Sequence, residues 1–194
     1  SSSTLSVVIT SQNPTCSTCN DGYAFASASG GVMPYTYMWS TVPIQTNASA
    51  NGLASGLYTV VINDANNCNT TVQVGIDEPT PISVNATVVN DPSCYGISDG
   101  NVSCVALGGS GSYTYSWTGG CIAQNCGGMS AGIYGVTVTD GNGCNGIGIV
   151  ELVEPPQLGA VLSSNDVLCA GECSGNAIAT PMGGSPNYTY QWSN

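Results

Sequence analysis

The cysteines are the residues of this chain with the most distinctive chemistry. The sequence has ten Cys but no Lys, Arg or His. Cys16 and Cys19 have the two-residue spacing of a zinc site, but a structural zinc site needs four ligands and no His is present to supply one. Disulfide bonds are therefore the chemistry that we expect, as in other cysteine-rich chains of oxidising compartments. All ten cysteines are candidates: Cys16, Cys19, Cys68, Cys94, Cys104, Cys121, Cys126, Cys144, Cys169 and Cys173.

The acidic side chains are the second set that could do chemistry. A pair of carboxylates can catalyse hydrolysis without a cation, and the chain has 11 Asp plus Glu. Asp64 and Asp140, however, begin the strings DANN and DGNG, where the ordinary role of Asp is to accept hydrogen bonds in a turn. We therefore expect no catalytic residue and no enzyme activity.

The absence of cationic side chains, which leaves a formal net charge of −11, also excludes classes of partner. Proteins that bind nucleic acid neutralise its phosphates with Lys and Arg, and anionic membranes attract clusters of the same residues. No stretch of the chain approaches the roughly 20 apolar residues of a membrane-spanning helix. We expect neither nucleic-acid binding nor direct insertion into a membrane.

The chain repeats itself with a period of about 76 residues. The string PYTYMWS at Pro34–Ser40 returns as SYTYSWT at Ser112–Thr118 and as NYTYQWS at Asn187–Ser193. A fixed period of this kind indicates an array of small structural units. The last copy has no second half, so we expect that Asn194 is where a longer array was cut.

Glu-Pro pairs end the first two copies and divide the chain into three domains. These are repeat one at 1–79, repeat two at 80–155, and the N-terminal half of a truncated repeat three at 156–194. At the first boundary, Asp77 and Glu78 offer carboxylate oxygens of the kind that calcium prefers. We expect a protein without metal or other cofactor, with calcium at these two residues as the alternative.

Within a repeat the hydrophobic pattern alternates with a period of two residues, which predicts β-strands. The clearest examples are Gly22–Ser29 and Gly100–Leu107, followed later in each repeat by Tyr58–Asn63 and Tyr134–Thr139. Six or seven such strands per repeat, with a Trp on the third, favour an immunoglobulin-like sandwich. The predicted fold is therefore all-β, with tandem immunoglobulin-like β-sandwich repeats of about 76 residues.

The aromatic residues are expected in the cores of these sandwiches. Tyr35, Tyr37 and Trp39 fall on one face of a strand, because alternate residues of a strand share a face. Tyr58 and Tyr134 end the strings LASGLY and MSAGIY, which resemble a tyrosine corner. The predicted core aromatics are Tyr35, Tyr37, Trp39, Tyr58, Tyr113, Tyr115, Trp117, Tyr134, Tyr188, Tyr190 and Trp192.

The order of these motifs resembles that of one known family. Cys16, an Asp-Gly pair, a Gly pair with PYTYxW, the string LxxGxYxVxVxDxxxC and Glu-Pro follow one another in repeat one, and most recur in repeat two. This set is similar to the SprB repeat of large surface adhesins in gliding Bacteroidota. The likeness covers almost the whole chain, although repeat three has Ser174-Gly175 in place of Asp-Gly and repeat two has three additional cysteines.

The resemblance implies where the protein works and with what. It implies a secreted protein on the surface of a Gram-negative cell of the Bacteroidota, exported by a type IX system and built as a long tandem array. It implies a part in adhesion, gliding or matrix building. The expected partners are neighbouring repeats of the same chain or fibre, with surface glycans as a further partner.

The pairing of the repeated cysteines stays open between two alternatives. Bonds from Cys16 to Cys68 and from Cys94 to Cys144 would each close a loop of about 50 residues within one repeat, worth on the order of 4 kcal/mol. In a sandwich, however, the first loop and the last hairpin lie at opposite ends. In a head-to-tail array the last hairpin of one repeat approaches the first loop of the repeat before it, so Cys144 would instead bond to Cys16 or Cys19.

The extra cysteines of repeat two form a separate set. A bond between Cys121 and Cys126, or from one of them to Cys104, would hold the long loop in the middle of that repeat.

The function that these patterns favour is structural and adhesive: a disulfide-braced stalk or filament of a long extracellular surface adhesin. Its work would be mechanical, and a weak surface offered many times would gain avidity. Two alternatives remain. One is a glycan-binding module that uses polar loops, and the other is a filament subunit whose half repeat at 156–194 is completed by strands of another chain.

Overall fold

The computed structural model describes residues 4–169, 171 and 173–193, and these residues form strands joined by turns. They contain no helix, and hence none long and apolar enough to cross a membrane. In repeat one the strands are β1 (Ser6–Gln12), β2 (Gly22–Ser29), β3 (Thr36–Trp39), β4 (Ser49–Leu53), β5 (Gly56–Asn63) and β6 (Asn69–Ile76). In repeat two they are β7 (Ser83–Asn90), β8 (Gly100–Leu107), β9 (Thr114–Trp117), β10 (Asn125–Met129), β11 (Gly132–Thr139) and β12 (Asn145–Leu152). In repeat three they are β13 (Gly159–Asn165) and β14 (Asn176–Met182).

Repeat one is a sandwich of two three-stranded antiparallel sheets, in the orders β1-β2-β4 and β3-β5-β6. Strand β2 has the sequence GYAFASAS, in which Ala24 and Ala26 are fully buried while Phe25 between them is exposed. The small inward side chains belong to the same buried cluster as the fully buried Trp39 of the opposite sheet. The buried cluster is Ala24, Ala26, Trp39, Ala50, Leu53, Val60, Ile62 and Ile76.

Repeat two has the same plan, with sheets in the orders β7-β8-β10 and β9-β11-β12. Val102 and Cys104 of β8 are fully buried, and so are Val136 and Val138 of β11. Trp117 on β9 takes the place that Trp39 has on β3. The prediction of an all-β fold made of tandem immunoglobulin-like sandwich repeats is confirmed.

In repeat three the described strands β13 and β14 pair antiparallel, from Gly159 opposite Met182 to Asn165 opposite Asn176. Every residue of β13 is exposed. The strands that cover the corresponding face in the first two repeats have no counterpart among the described residues of repeat three. The described part of repeat three is therefore a single hairpin and not a sandwich.

By contacts between Cα atoms the chain divides into two compact units. Unit 1 consists of Ser1–Ser83, Leu107–Tyr113 and Thr139–Asn145, and unit 2 consists of Val84–Ala106, Thr114–Val138 and Gly146–Asn194. Two loops of repeat two thus belong with repeat one in unit 1. The domain boundaries at residues 79 and 155 stay a prediction.

Candidate functional site

The first part of the candidate site is the loop between β1 and β2, which holds Cys16. The backbone N–H and the hydroxyl of Thr15 donate to the two carboxylate oxygens of Asp21, at 2.9 and 2.7 Å. The N–H of Cys19 donates to the carbonyl of Cys16 at 3.0 Å, which closes a turn around the two residues between them. The hydroxyl of Thr15, and next its N–H, lower the pKa of Asp21, so this loop is fixed by an ionised carboxylate.

The second part is the turn after β11, which holds Cys144 and is organised by Asp140. One oxygen of Asp140 accepts from the N–H groups of Asn142 and Cys144, both at 2.9 Å, and the other accepts from the N–H of Ser110 at 2.8 Å. Asp140 is only 6% exposed. The N–H of Ser110 does most to lower the pKa of Asp140; burial opposes it, and the N–H groups of Cys144 and Asn142 reinforce it.

The sequence predicted the Asx turn at Asp140 but not the bond from Ser110, which comes from a loop 30 residues away. A signal for it does exist in the sequence, namely the Gly pair before each PYTYxW-type string. Gly109 has a φ of +58°, and a Cβ at that position would lie 2.5 Å from a carboxylate oxygen of Asp140. Only glycine lets this loop approach the carboxylate in a left-handed conformation.

A disulfide bond joins the two parts of the site. The bond connects Cys16 to Cys144, with an S–S distance of 2.07 Å and a Cα–Cα distance of 5.6 Å. Both cysteines are half-buried. They line an open cleft within unit 1, together with Pro79–Ile82 and the loop at Gly109 and Ser110. The bond therefore ties the first loop of repeat one to the last hairpin of repeat two across 128 positions of sequence.

A model of the SprB repeat family matches the chain at residues 8–43, 86–121 and 161–194, which together make up more than half of it. The chain belongs to the SprB repeat family. SprB repeats occur in cell-surface proteins, so the chain is a tandem-repeat module of the surface-protein type. A search of the curated proteins found no match to it.

Among solved structures, the three N-terminal domains of the Highly Immunogenic Outer Capsid protein (Hoc) of bacteriophage RB49 are similar to the chain. The TM-score is 0.51 at 15% sequence identity, over 94% of this chain and 70% of that one. A C-terminal 282-residue fragment of intimin, in complex with the intimin-binding domain of its translocated receptor, gives a TM-score of 0.38 at 12% identity, over 82% and 66% of the two chains. At such identities the likeness to Hoc supports the fold of these SprB repeats and nothing more.

Of the two pairing alternatives for the repeated cysteines, the structure contains the head-to-tail one, with Cys16 as the partner of Cys144. The bonds from Cys16 to Cys68 and from Cys94 to Cys144 do not form, and Cys68 and Cys94 carry exposed free thiols. The physical reason is the position of these elements in a sandwich, where the first loop and the last hairpin of one SprB repeat lie at opposite ends. Cys19 stays a half-buried free thiol beside the bonded pair.

A second disulfide, between Cys121 and Cys126, closes the mid-repeat loop of the second SprB repeat, with a Cα–Cα distance of 6.2 Å. Cys104 takes no part in it. Its thiol is fully buried in the core of repeat two, and burial raises its pKa. Cys104 occupies the position that Ala26 has in repeat one, so it acts as a small core residue. In the third repeat, Cys169 and Cys173 are free and exposed.

The predicted core aromatics of the first two repeats lie where the strand pattern placed them. The indole N–H of Trp39 donates to the carbonyl of Asn47, and that of Trp117 donates to the carbonyl of Ala123, both at 3.0 Å. Tyr35, Tyr37 and Tyr58 pack half-buried against the core of repeat one. Tyr113, Tyr115 and Tyr134 are half-buried in repeat two.

The tyrosine corners also have the expected geometry. The hydroxyl of Tyr58 donates to the carbonyl of Ala54 at 3.2 Å, and that of Tyr134 donates to the carbonyl of Ser130 at 3.0 Å. Each bond reaches four residues back along the chain, as this motif requires.

The core prediction is wrong for two of the three aromatics of repeat three. Tyr190 and Trp192 are 57% and 54% exposed, because no strand of the described residues covers them as β5 covers Trp39. Tyr188 alone is half-buried, and its hydroxyl donates to the carbonyl of Gly183 at 2.7 Å.

The calcium candidates Asp77 and Glu78 are not part of a recognisable metal site. In the described part of the chain, no group of three or more Cys, Asp or Glu side chains lies close enough to hold a metal ion. The backbone N–H of Asp77 donates to the side-chain oxygen of Asn13 at 2.9 Å, which fixes the chain just after β6.

Proposed function

We propose that this chain is a structural and adhesive element of a long extracellular surface protein, in which disulfide bonds between successive SprB repeats bear mechanical load. The location on the outer surface of a Bacteroidota cell, export by a type IX system and a role in adhesion or gliding are parts of the same proposal. The observation that carries it is the bond between Cys16 and Cys144, which links two repeats where a bond within one repeat would have stabilised only that repeat.

The use of the acidic residues supports this proposal over catalysis. Asp21 and Asp140 accept backbone N–H groups in the linked loop and hairpin, and Asp64 and Asp99 do the same in the equivalent loops. A carboxylate held in this way by backbone donors is stabilised as an anion and is a poor proton donor. These four residues therefore shape the loops that carry the cysteines.

The mechanical part is tested by pulling a single chain from its two ends. While the bond is intact, force bypasses the segment between Cys16 and Cys144. Its separation of 128 residues corresponds to roughly 420–460 Å of extended chain. We expect the full extension of the oxidised protein to be shorter than that of the reduced protein by this length.

The Cys121→Ser/Cys126→Ser variant is the matched control for the pulling experiment. Its missing bond lies inside the segment that the longer bond bypasses, so the oxidised variant should extend as far as the oxidised parent. Equal extension of the oxidised and reduced parent would show that the long bond is not formed in the mature protein, and the load-bearing role would be lost with it.

The adhesive part needs a separate measurement. Beads coated with the chain should be retained under flow on glass or polysaccharide surfaces more strongly than beads coated with albumin. The indoles of Trp39 and Trp117 are buried, so in the first two repeats these tryptophans are not available to stack on a sugar. Binding to one defined sugar on a glycan array would favour that alternative, and retention equal to albumin would contradict adhesion.

A further inference from the structure

Two cysteines outside the known bond, Cys68 and Cys94, occupy the same positions in their repeats as the two bonded cysteines. Cys68 lies 76 residues before Cys144, at the end of the same Asp-x3-Cys turn, and Cys94 lies 78 residues after Cys16. Both have free and exposed thiols, whereas both members of the bonded pair are half-buried. Each is thus the unlinked copy of one half of an observed bond.

The hairpin that carries Cys68 already has the geometry of its bonded counterpart. An oxygen of Asp64 accepts from the N–H of Cys68 at 2.9 Å, the same distance as from Asp140 to Cys144. The N–H of Asp64 donates to the carbonyl of Cys68 at 2.9 Å, against 3.0 Å in the bonded turn. The residue directly before each cysteine also has a left-handed backbone conformation; it is Asn67 in one copy and Gly143 in the other.

Asp64 is held in the same electrostatic state as Asp140. Burial would raise the pKa of Asp64, but the N–H groups of Cys68, Val32 and Asn66 together lower it. The N–H of Val32 donates to Asp64 in repeat one, as the N–H of Ser110 donates to Asp140 in repeat two. No rearrangement of the hairpin is needed for Cys68 to be presented as Cys144 is.

The loop that carries Cys94 likewise matches the loop of Cys16. The N–H of Ser93 donates to Asp99 at 2.8 Å, as Thr15 does to Asp21 at 2.9 Å. The N–H of Ile97 donates to the carbonyl of Cys94 at 3.2 Å and closes the same turn.

A contact from repeat three shows what approaches the Cys94 loop. The hydroxyl of Ser185 donates to the carbonyl of Ser93 at 3.5 Å, within unit 2. Ser185 follows Gly183-Gly184 as Ser110 follows Gly108-Gly109, and Ser110 lines the cleft beside the bonded Cys16. The Cys94 loop is therefore approached by the same Gly-pair loop of the following repeat.

We propose that Cys68 and Cys94 are half-cystines of further bonds between SprB repeats, each made with the complementary element of another repeat. The partner of Cys68 is a first loop of the Cys16 type, and the partner of Cys94 is an Asp-x3-Cys hairpin of the Cys144 type. Repetition of this rule links each repeat to both of its neighbours and gives a disulfide ladder along the array. The inference rests on the proposed function and names its partner as another SprB repeat.

Formation of each link consumes a disulfide-containing oxidant, for which oxidised glutathione serves in the test. A thiolate attacks one sulfur of the oxidant, which forms a mixed disulfide and releases one glutathione thiolate. The partner thiolate then attacks the protein sulfur of the mixed disulfide and expels the second glutathione. Two protein thiols are oxidised to one disulfide, and one glutathione disulfide is reduced to two thiols.

The test uses the chain as it is, because its copies carry both elements: the hairpin with Cys68 and the loops with Cys94 and Cys169. The concentrated native protein is incubated in a glutathione redox buffer, and covalent oligomers are separated without reduction. The sequence has no Lys or Arg for trypsin, so a protease that cuts at aromatic residues is used before linked peptides are identified by mass spectrometry. The same chain in guanidinium chloride gives the distribution for unstructured thiols.

The quantity to compare is the ratio of links between Cys68 and a loop cysteine to links between two Cys68 or two Cys94. We expect this ratio to be about tenfold higher in the native protein than in the denatured chain, which is about 1.4 kcal/mol of preference. Cys68→Ser should abolish these links. Cys173→Ser is the matched control and should leave them, because the first two repeats have Asn20 and Ser98 at the equivalent position.

Two results would overturn the ladder: a native distribution of links equal to the denatured one, or native protein that forms no intermolecular link. Neither result would touch the proposed function, which is measured by extension of a single chain in which Cys68 and Cys94 remain unlinked. Conversely, loss of the bond between Cys16 and Cys144 in the pulling experiment would remove the load-bearing role whatever the oligomers show.

Discussion

Removal of the bond between Cys16 and Cys144 is expected to destabilise the protein far more than removal of the bond between Cys121 and Cys126. The two bonds differ in the length of chain that they close, with sequence separations of 128 and 5. A cross-link lowers the entropy of the unfolded chain by an amount that grows with the logarithm of this length. The long bond is worth about 5 kcal/mol by this argument, and the short one about 2 kcal/mol.

The variants to compare are Cys16→Ser/Cys144→Ser and Cys121→Ser/Cys126→Ser. Serine keeps the size of the side chain nearly unchanged, so the folded repeats should remain as they are. Equilibrium unfolding in guanidinium chloride, followed by the fluorescence of the buried Trp39 and Trp117, reports the free energy of unfolding of both repeats. We expect the loss in the first variant to exceed the loss in the second by about 3 kcal/mol, which is the difference between the two loop terms.

If the long-bond variant loses no more stability than the short-bond variant, the bond between Cys16 and Cys144 does not restrict the unfolded chain across two repeats. Reduction of the parent protein should reproduce about the sum of the two losses, because the two bonds have no cysteine in common. A reduced parent as stable as the oxidised one would refute the argument outright.

Three further predictions concern the cores and the loops. Trp39→Ala removes a fully buried indole and should cost about 3–5 kcal/mol, whereas Met38→Ala on the exposed face of the same strand should change stability by less than about 0.5 kcal/mol, both read from chemical unfolding curves. Gly109→Ala forces alanine into a left-handed conformation against Asp140 and should lower the free energy of unfolding by at least about 1–2 kcal/mol, while Gly141→Ala, whose Cβ would meet no atom closer than 3.6 Å, should be tolerated. Hydrogen bonds lower the pKa of Asp140 in the folded state, so the folded protein binds fewer protons there than the unfolded chain. The resulting stabilisation is complete above about pH 5 and is lost as the pH falls through the lowered pKa. Asp140→Asn removes this titrating group, so the free energy of unfolding of the variant, measured at a series of pH values, should depend less on pH in this range.

The strands were the most predictable part of the fold. The bounds of β2 and β8 agree with those predicted from sequence. In both strands an apolar residue recurs at every second position: Ala24, Ala26 and Ala28 in β2, and Val102, Cys104 and Ala106 in β8. β5 begins two residues before the predicted Tyr58, at Gly56. Gly56 has no side chain, so it adds nothing to the hydrophobic pattern that would show where the strand begins. Its φ of +153° is one that residues with a side chain rarely adopt.

The disulfide pairing could not be settled from sequence, because spacing alone treats Cys68 and Cys144 alike. What separates them is the position of the hairpin relative to the first loop, which depends on how six strands fold into two sheets. The exposure of Trp192 has the same origin. Its strand pattern is that of Trp39, but burial also needs a covering strand, and the periodicity of one strand does not contain that information.

In these repeats the turn aspartates are paired with backbone N–H groups and not with cationic side chains. With no Lys, Arg or His in the sequence, no carboxylate can be paired with a cationic side chain, and surface ion pairs cannot set the shape of a loop. The carboxylates of Asp21, Asp64, Asp99 and Asp140 accept backbone N–H groups instead. Such bonds are charge-assisted and directional, and backbone donors have fewer rotamers to lose than a Lys or Arg side chain. A carboxylate therefore fixes each first loop and each last hairpin of the two complete repeats, and these are the elements that carry the cysteines of the observed bond and of the proposed ladder.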